Sequence, residues 1–277
     1  MLLADDLPLA RIRNAWVTWG LMAACVLGFV FQLAPDSPVE NALALWPKDL
    51  LANPQDPQQG LRLLGYMFLH GSWLHLGGNL LVLFVFGDNV EDALGHLRFL
   101  LLYLLAGVAG GALHSILATD PETPLVGASG AIAGVMAAYL LLYPRAKLFV
   151  LAFARLPVLL PASWFVAAWF GVNVLEAATG GHGSDHDVAW WAHIGGFVTG
   201  LALVLPLRQP GVALFQPALA SPSPRLGWLR RVSFDFAPEV KPDAAHETHG
   251  YGLVDGRLAA LGKALLFVVL LFFSAWF

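Results

Sequence analysis

A few polar side chains stand among long apolar runs in this sequence, and their types are those of acyl transfer. Ser129 sits in Gly127-Ala128-Ser129-Gly130. A serine hydroxyl becomes a nucleophile when a base within hydrogen-bond reach takes its proton. His193, in Ala192-His193-Ile194-Gly195-Gly196, is the candidate base. The glycines flanking Ser129 permit tight backbone at a helix entry, where the first N–H groups lack intrahelical partners and can face an anion. His75 and Asn79 are spaced i and i+4, so they share one face of a helix and suit two donors converging on a carbonyl oxygen. A plainer reading stands beside this one. Gly130, Gly134 and Ala138 form one small-residue stripe, and Gly196 with Gly200 another, as helices that pack closely in a membrane require. The two readings are compatible, because close approach of those helices would bring Ser129 to His193.

The elements that must position these residues follow from composition. Of 277 residues, 58% are hydrophobic and 12% charged, about half the charged share of a soluble domain. A run of roughly 20 apolar residues spans a bilayer as a helix. Such runs fall at about 14–34, 71–87, 99–119, 125–143, 157–175, 188–207 and 264–277. They lack the apolar/polar alternation of an outer-membrane barrel. The expected fold is therefore an all-α polytopic membrane protein, with a six-helix core and a C-terminal seventh transmembrane helix. Its expected divisions are a cytoplasmic N-terminus over 1–13, a catalytic core over 14–207, a cytoplasmic linker over 208–260 and the last helix over 261–277. The first run is long, contains Trp and lacks a small-residue cleavage site, so it reads as a retained helix and not a signal peptide. Cys25 is the single cysteine, which excludes an intramolecular disulfide. A net charge of −4 gives no basic footprint for nucleic acid.

Assigning loops alternately to the two faces puts all 15 basic residues except Lys48 and Arg62 on one side. Cytoplasmic loops carry the excess of Lys and Arg, so the N-terminus is expected inside. The second, fourth and sixth helices then enter from the outer face, and their first turns carry His75, Ser129 and His193. A serine four to six residues past a helix start would lie roughly 6 to 9 Å below the surface, so hydrolysis would need a water-filled cavity. The loop over 35–70, with Leu43, Leu45, Trp46 and Pro47, is expected to pack as a lateral platform.

The three motifs His75-Leu-Gly-Gly-Asn79, Gly127-Ala-Ser129-Gly130 and Ala192-His193-Ile-Gly-Gly196, in that order, resemble those of rhomboid intramembrane proteases. The resemblance covers about 14–207 and takes in His70, Arg62 in the outer loop and Glu91 in the loop after the second helix. It implies that Ser129 and His193 act as a dyad without an acid. It also implies that His75, Asn79 and the Ser129 N–H bind the oxyanion. Gly127, Gly130, Gly134, Gly196, Gly200, Arg62 and Glu91 would serve as structural support. The implied substrates are single-span membrane proteins cut near the outer end of their spans, within the lipid bilayer and with no metal or organic cofactor. A bacterial inner membrane is the expected location. Two positions depart from the family: Ala133 stands where some members stack a tyrosine on the catalytic histidine, and Leu61 where many have tryptophan. Some other side chain must therefore hold the His193 ring.

Three rival readings compete with this one. A catalytically silent rhomboid-like protein that binds membrane clients would lack the serine or the histidine, and both are present. Gly181-His182-Gly-Ser-Asp185-His186-Asp187 is rich in metal-ligand types, yet no His-Glu-x-x-His helix accompanies it. A transporter is supported by the polar residues His114, Asn173 and Glu176, without an inverted repeat.

Overall fold

The structure, a computed structural model, describes residues 2–5, 7–152, 156–179, 189–217 and 234–235. Most of the expected linker, the expected seventh helix and the ligand-rich stretch 181–187 lie outside the described residues. The chain divides into two compact units, one comprising 9–142 with 169–214 and the other 1–8, 143–168 and 215–277.

The larger unit is helical. Its elements are α1 (Trp16–Gln32), α2 (Val39–Leu43), α3 (Pro47–Ala52), α4 (Pro57–Gly65), a 3₁₀ turn (Tyr66–Phe68), α5 (Trp73–Leu94), α6 (His96–Leu117), α7 (Ser129–Leu142), the later part of α8 (Ala162–Thr179) and α9 (Trp190–Leu207). Local chemistry sets several of these boundaries. Asp56 caps α4 through the Gln58 N–H, with Pro57 at its first position. Ser72 caps α5 by accepting from the His75 N–H at 3.1 Å, which fixes the backbone of a candidate site residue. Gly95, with φ +81, ends α5 and opens α6 in a conformation that side chains disfavour.

Among the described residues, α6 and α9 are long and apolar enough to cross a membrane. The segment Pro57–Phe68 and α5, bent by 84°, together pass as a third crossing, while α1 and α7 are apolar but shorter. Among the described residues the expected spans thus appear as helices of unequal length, and the seventh lies outside them. The expected run over 125–143 yields a helix only from Ser129, because the chain before it is extended and Leu125 pairs with Leu45. Ser129 is consequently the first residue of α7, not one four to six residues past its start.

The core of this unit is α6, α7 and α9, brought together by glycine. A Cβ on Gly196 would overlap the Gly130 carbonyl, and one on Gly200 the Gly134 carbonyl. Gly134 in turn lies against Ala106 of α6, and a Cβ on Gly110 would fall 2.6 Å from the Ala192 carbonyl oxygen. Between α5 and α7, Phe86 meets Tyr139 edge to face at 4.8 Å.

Glu91 does not lie in a loop: α5 continues to Leu94, and Glu91 is fully buried within it. Its carboxylate accepts from Val17 N (3.0 Å), Thr18 N (2.8 Å) and Thr18 Oγ1 (2.7 Å), and meets His96 Nδ1 at 2.5 Å. The α1 N-cap is Ala15, which offers no side-chain acceptor, so Glu91 caps α1 from a neighbouring helix. Asp92 does similar work for the preceding segment, accepting from the N–H groups of Ala10, Arg11 and Ile12. Arg62 is on α4, where its guanidinium donates to Asp49 Oδ2 at 2.7 Å and the Asn41 carbonyl at 3.1 Å. It ties α4 to α3 and to the segment around α2, so the 35–70 region is a set of short helices and not an open loop.

The described chain is mostly helical, as expected, and the smaller unit adds strands to it. This unit holds a four-stranded sheet in the order β1 (Leu2–Asp5), β2 (Lys147–Ala152), β3 (Leu156–Pro161), β4 (Phe234–Asp235), antiparallel except for β3 with β4. The expected span over 157–175 thus begins as a strand and turns helical only at Ala162. The physical reason is that a short continuous apolar run has no period to tell a buried strand from a buried helix. The helix start is tied back by Ala162 N donating to the Ala146 carbonyl and Ser163 N to that of Pro144, at 2.8 and 2.9 Å.

Candidate active site

The approach to Ser129 is pinned at two points. Leu45 and Leu125 exchange backbone hydrogen bonds of 3.1 and 2.8 Å, and Gly127 N donates to the Tyr66 carbonyl at 2.9 Å. Tyr66 is itself anchored on α6, its hydroxyl donating to the Gly107 carbonyl at 2.7 Å. Gly127 has φ +127, a conformation that only glycine adopts readily. Ser129 then opens α7, so its N–H has no partner within the helix.

Across the α7/α9 contact, Ser129 Oγ lies 2.7 Å from His193 Nε2. His193 is the fourth residue of α9 and is buried, while Ser129 is half-buried. The other ring nitrogen, Nδ1, is 2.5 Å from Asn173 Oδ1 on α8. Two indoles flank the imidazole: Trp169 at 5.4 Å between centroids and inclined by 40°, and Trp190 at 6.2 Å, nearly perpendicular.

His75 approaches from α5. Its Nδ1 accepts from Gly71 N at 3.4 Å, which leaves Nε2 to carry the proton of the neutral ring. That edge faces Gly127: a Cβ there would fall 2.7 Å from Cε1 and 2.8 Å from Nε2 of His75, and 3.8 Å from Ser129 Oγ. Absence of a side chain at Gly127 therefore admits the His75 donor beside the serine. Asn79, one turn further along α5, is buried, and its Nδ2 donor has no protein partner among the described residues. His70 packs edge-on against His75 at 5.1 Å and Phe29 at 6.4 Å.

The structure thus brings Ser129, His193, His75 and Gly127 together, and makes Gly130, Gly134, Gly196 and Gly200 the surfaces on which α7 and α9 meet. Arg62 and Glu91 are elsewhere. Glu91 is sixteen residues along α5 from His75, about 24 Å at the helical rise. Asn173, Trp169 and Trp190 escaped sequence reasoning as site residues. The available signal was Ala133, which demanded another support for the His193 ring, together with Asn173 as a polar residue in an apolar helix. Among the described residues, no group of three or more His, Cys, Asp or Glu is arranged to hold a metal.

A serine hydroxyl within hydrogen-bond reach of an imidazole nitrogen, beside a helix N-terminus and a second imidazole, has the parts that serine-hydrolase chemistry requires. Comparison with known proteins agrees in kind. The Rhomboid domain matches residues 57–210, and the chain belongs to the rhomboid family of integral membrane proteins. It is 30% identical over 213 residues to RHOMBOID-like protein 4 of Arabidopsis thaliana, covering 75% of this chain and 44% of that one. It is 30% identical over 226 residues to Rhomboid-type serine protease 2 of Emericella nidulans, covering 78% and 39%. With Rhomboid protease GlpG of Klebsiella pneumoniae it shares 27% over 191 residues, covering 67% and 61%. The matched segment spans less than two thirds of each of these relatives.

Proposed function

We propose that this protein is an intramembrane serine endopeptidase that cleaves single-span membrane proteins near the outer end of their spans. The 2.7 Å contact between Ser129 Oγ and His193 Nε2 carries the reading. In the proposed reaction, Ser129 Oγ attacks the scissile carbonyl carbon as its proton passes to His193 Nε2. The Ser129 N–H, His75 Nε2–H and Asn79 Nδ2 stabilise the oxyanion. Collapse of the tetrahedral intermediate breaks the C–N bond, and His193 returns the proton to the leaving amine. Water, deprotonated by the same imidazole, then hydrolyses the acyl-enzyme and restores the serine. The names of two relatives, one a serine protease and one a rhomboid protease, support the chemistry, and the retained Ser129 and His193 favour it over a silent client-binding role.

The proposed setting is a bacterial inner membrane with the N-terminus cytoplasmic and the catalytic layer toward the outer face, resting on the distribution of basic residues. The proposed division keeps a catalytic core over 14–207, a linker over 208–260 and a final helix over 261–277. The test is cleavage of a model single-span substrate by purified protein in lipid or detergent. Wild-type protein should cut it, and Ser129→Ala and His193→Ala should remain folded and inactive. Activity surviving in both variants, or abolished by a chelator, would overturn the assignment.

A further inference from the structure

We infer that Asn173 is a positioning residue for His193, holding the imidazole in the tautomer that leaves Nε2 open to the Ser129 proton. The consequence for turnover rests on the hydrolase reading above; the tautomer does not.

Asn173 is 2% exposed on an apolar helix, so its amide must find partners within the protein. Its Nδ2 donates to the Trp169 carbonyl, one turn back, at 2.7 Å. This bond fixes the orientation of the amide, because a flipped amide would set Oδ1 against a carbonyl oxygen and lose the contact. Oδ1 therefore faces His193 Nδ1, at 2.5 Å. An amide oxygen only accepts, so Nδ1 must carry the hydrogen. In a neutral imidazole, Nε2 is then the acceptor, and it is the nitrogen 2.7 Å from Ser129 Oγ. The opposite tautomer would aim a donor at the serine and place two lone pairs together between His193 and Asn173.

The same turn of α8 answers the missing tyrosine. Trp169 supplies the carbonyl that orients Asn173 and an indole that flanks His193 at 5.4 Å, so one helical turn both sets the tautomer and confines the ring where Ala133 offers only a methyl. During acylation the Ser129 proton moves to Nε2 and later to the leaving amine. The Nδ1 proton stays between His193 and Asn173 throughout. Being neutral, Asn173 orients the imidazolium without the stabilisation a carboxylate would add.

Nitrogen-15 NMR of histidine-labelled full-length protein, in the Ser129→Ala background to prevent self-cleavage, reads the tautomer directly, with His193→Gln identifying the signal. The expected result is His193 protonated at Nδ1, and a shift toward the Nε2–H form in Asn173→Leu. In parallel, Asn173→Leu should lower kcat about a hundredfold to a thousandfold with KM nearly unchanged. A wrong tautomer in a Ser-His-Asp triad costs about ten-thousandfold. Asn173→Asp should restore most of the turnover and move the rising limb of the pH profile to higher pH, because a carboxylate favours the imidazolium. Should Asn173→Leu fail to fold, the tautomer of the parent and the pH shift of Asn173→Asp still decide. His193 found as Nε2–H in the parent, or an unchanged tautomer and unchanged turnover in Asn173→Leu, would overturn the inference. Proteolysis surviving in Ser129→Ala would instead sink the hydrolase reading while leaving the tautomer assignment standing.

Discussion

Gly196 lies so close to Gly130 that a single methyl on Gly196 would overlap the Gly130 carbonyl oxygen. Gly130 follows the candidate nucleophile and Gly196 follows the candidate base by one turn, so this backbone contact sets the separation of Ser129 and His193. The residue types that permit helix packing and those that carry the chemistry are parts of one arrangement.

It follows that Gly196→Ala should push α9 from α7 and harm turnover and stability together. Forcing a methyl into a filled contact costs about 1 to 3 kcal/mol, more when backbone must move. Thermal unfolding should occur several degrees earlier and cleavage should fall at least tenfold. Gly20→Ala is the control, since a Cβ there meets nothing within 4 Å. A Gly196→Ala protein with parental melting and turnover would show that the helices separate at no cost, against this account.

Glu91→Ala should destabilise the fold without touching the chemistry. It leaves the Val17 and Thr18 N–H groups and the Thr18 hydroxyl without their acceptor, at a cost of about 3 kcal/mol or more. Because the site is about 24 Å away along α5, the protein that remains folded should cleave at close to the parental rate. A melting scan together with active-site titration separates the two quantities, and loss of turnover per folded molecule would contradict the purely structural role.

How much of this was legible in the sequence depends on the kind of signal. Ser129, His193, His75 and the glycine stripes could be found because each combines a reactive or minimal side chain with a spacing that helical geometry converts into a shared face. The sheet could not, since Leu156–Pro161 is an apolar run without period, read equally well as the start of a span, and Lys147–Ala152 falls between two expected spans. The role of Glu91 was hidden because α5 outlasts its apolar run, and the groups its carboxylate accepts from lie more than seventy residues earlier in the chain. Asn173 stands out in the sequence as a polar residue in an apolar helix, but its pairing with His193 is legible only in three dimensions, because the partner is twenty residues away.

Asn79 offers a sharper separation of function from structure. Its Nδ2 is buried with no partner among the described residues, a condition that costs a protein about 1 to 3 kcal/mol. A donor kept in that state is explained if an acceptor arrives only with the substrate and becomes an oxyanion in the transition state. Removing it should then lower kcat by about a hundredfold to a thousandfold, as loss of one oxyanion donor does, because the Ser129 N–H and His75 Nε2–H remain. KM should change little, since the interaction strengthens only as charge develops. Stability should not fall with activity: Asn79→Leu replaces an unsatisfied amide with an apolar side chain of similar size and should melt at or above the parental temperature. Small fluorophosphonates should still label Ser129 in this variant, more slowly. An Asn79→Leu protein that melts well below the parent, and that regains full turnover on cooling, would make Asn79 a structural tie between helices.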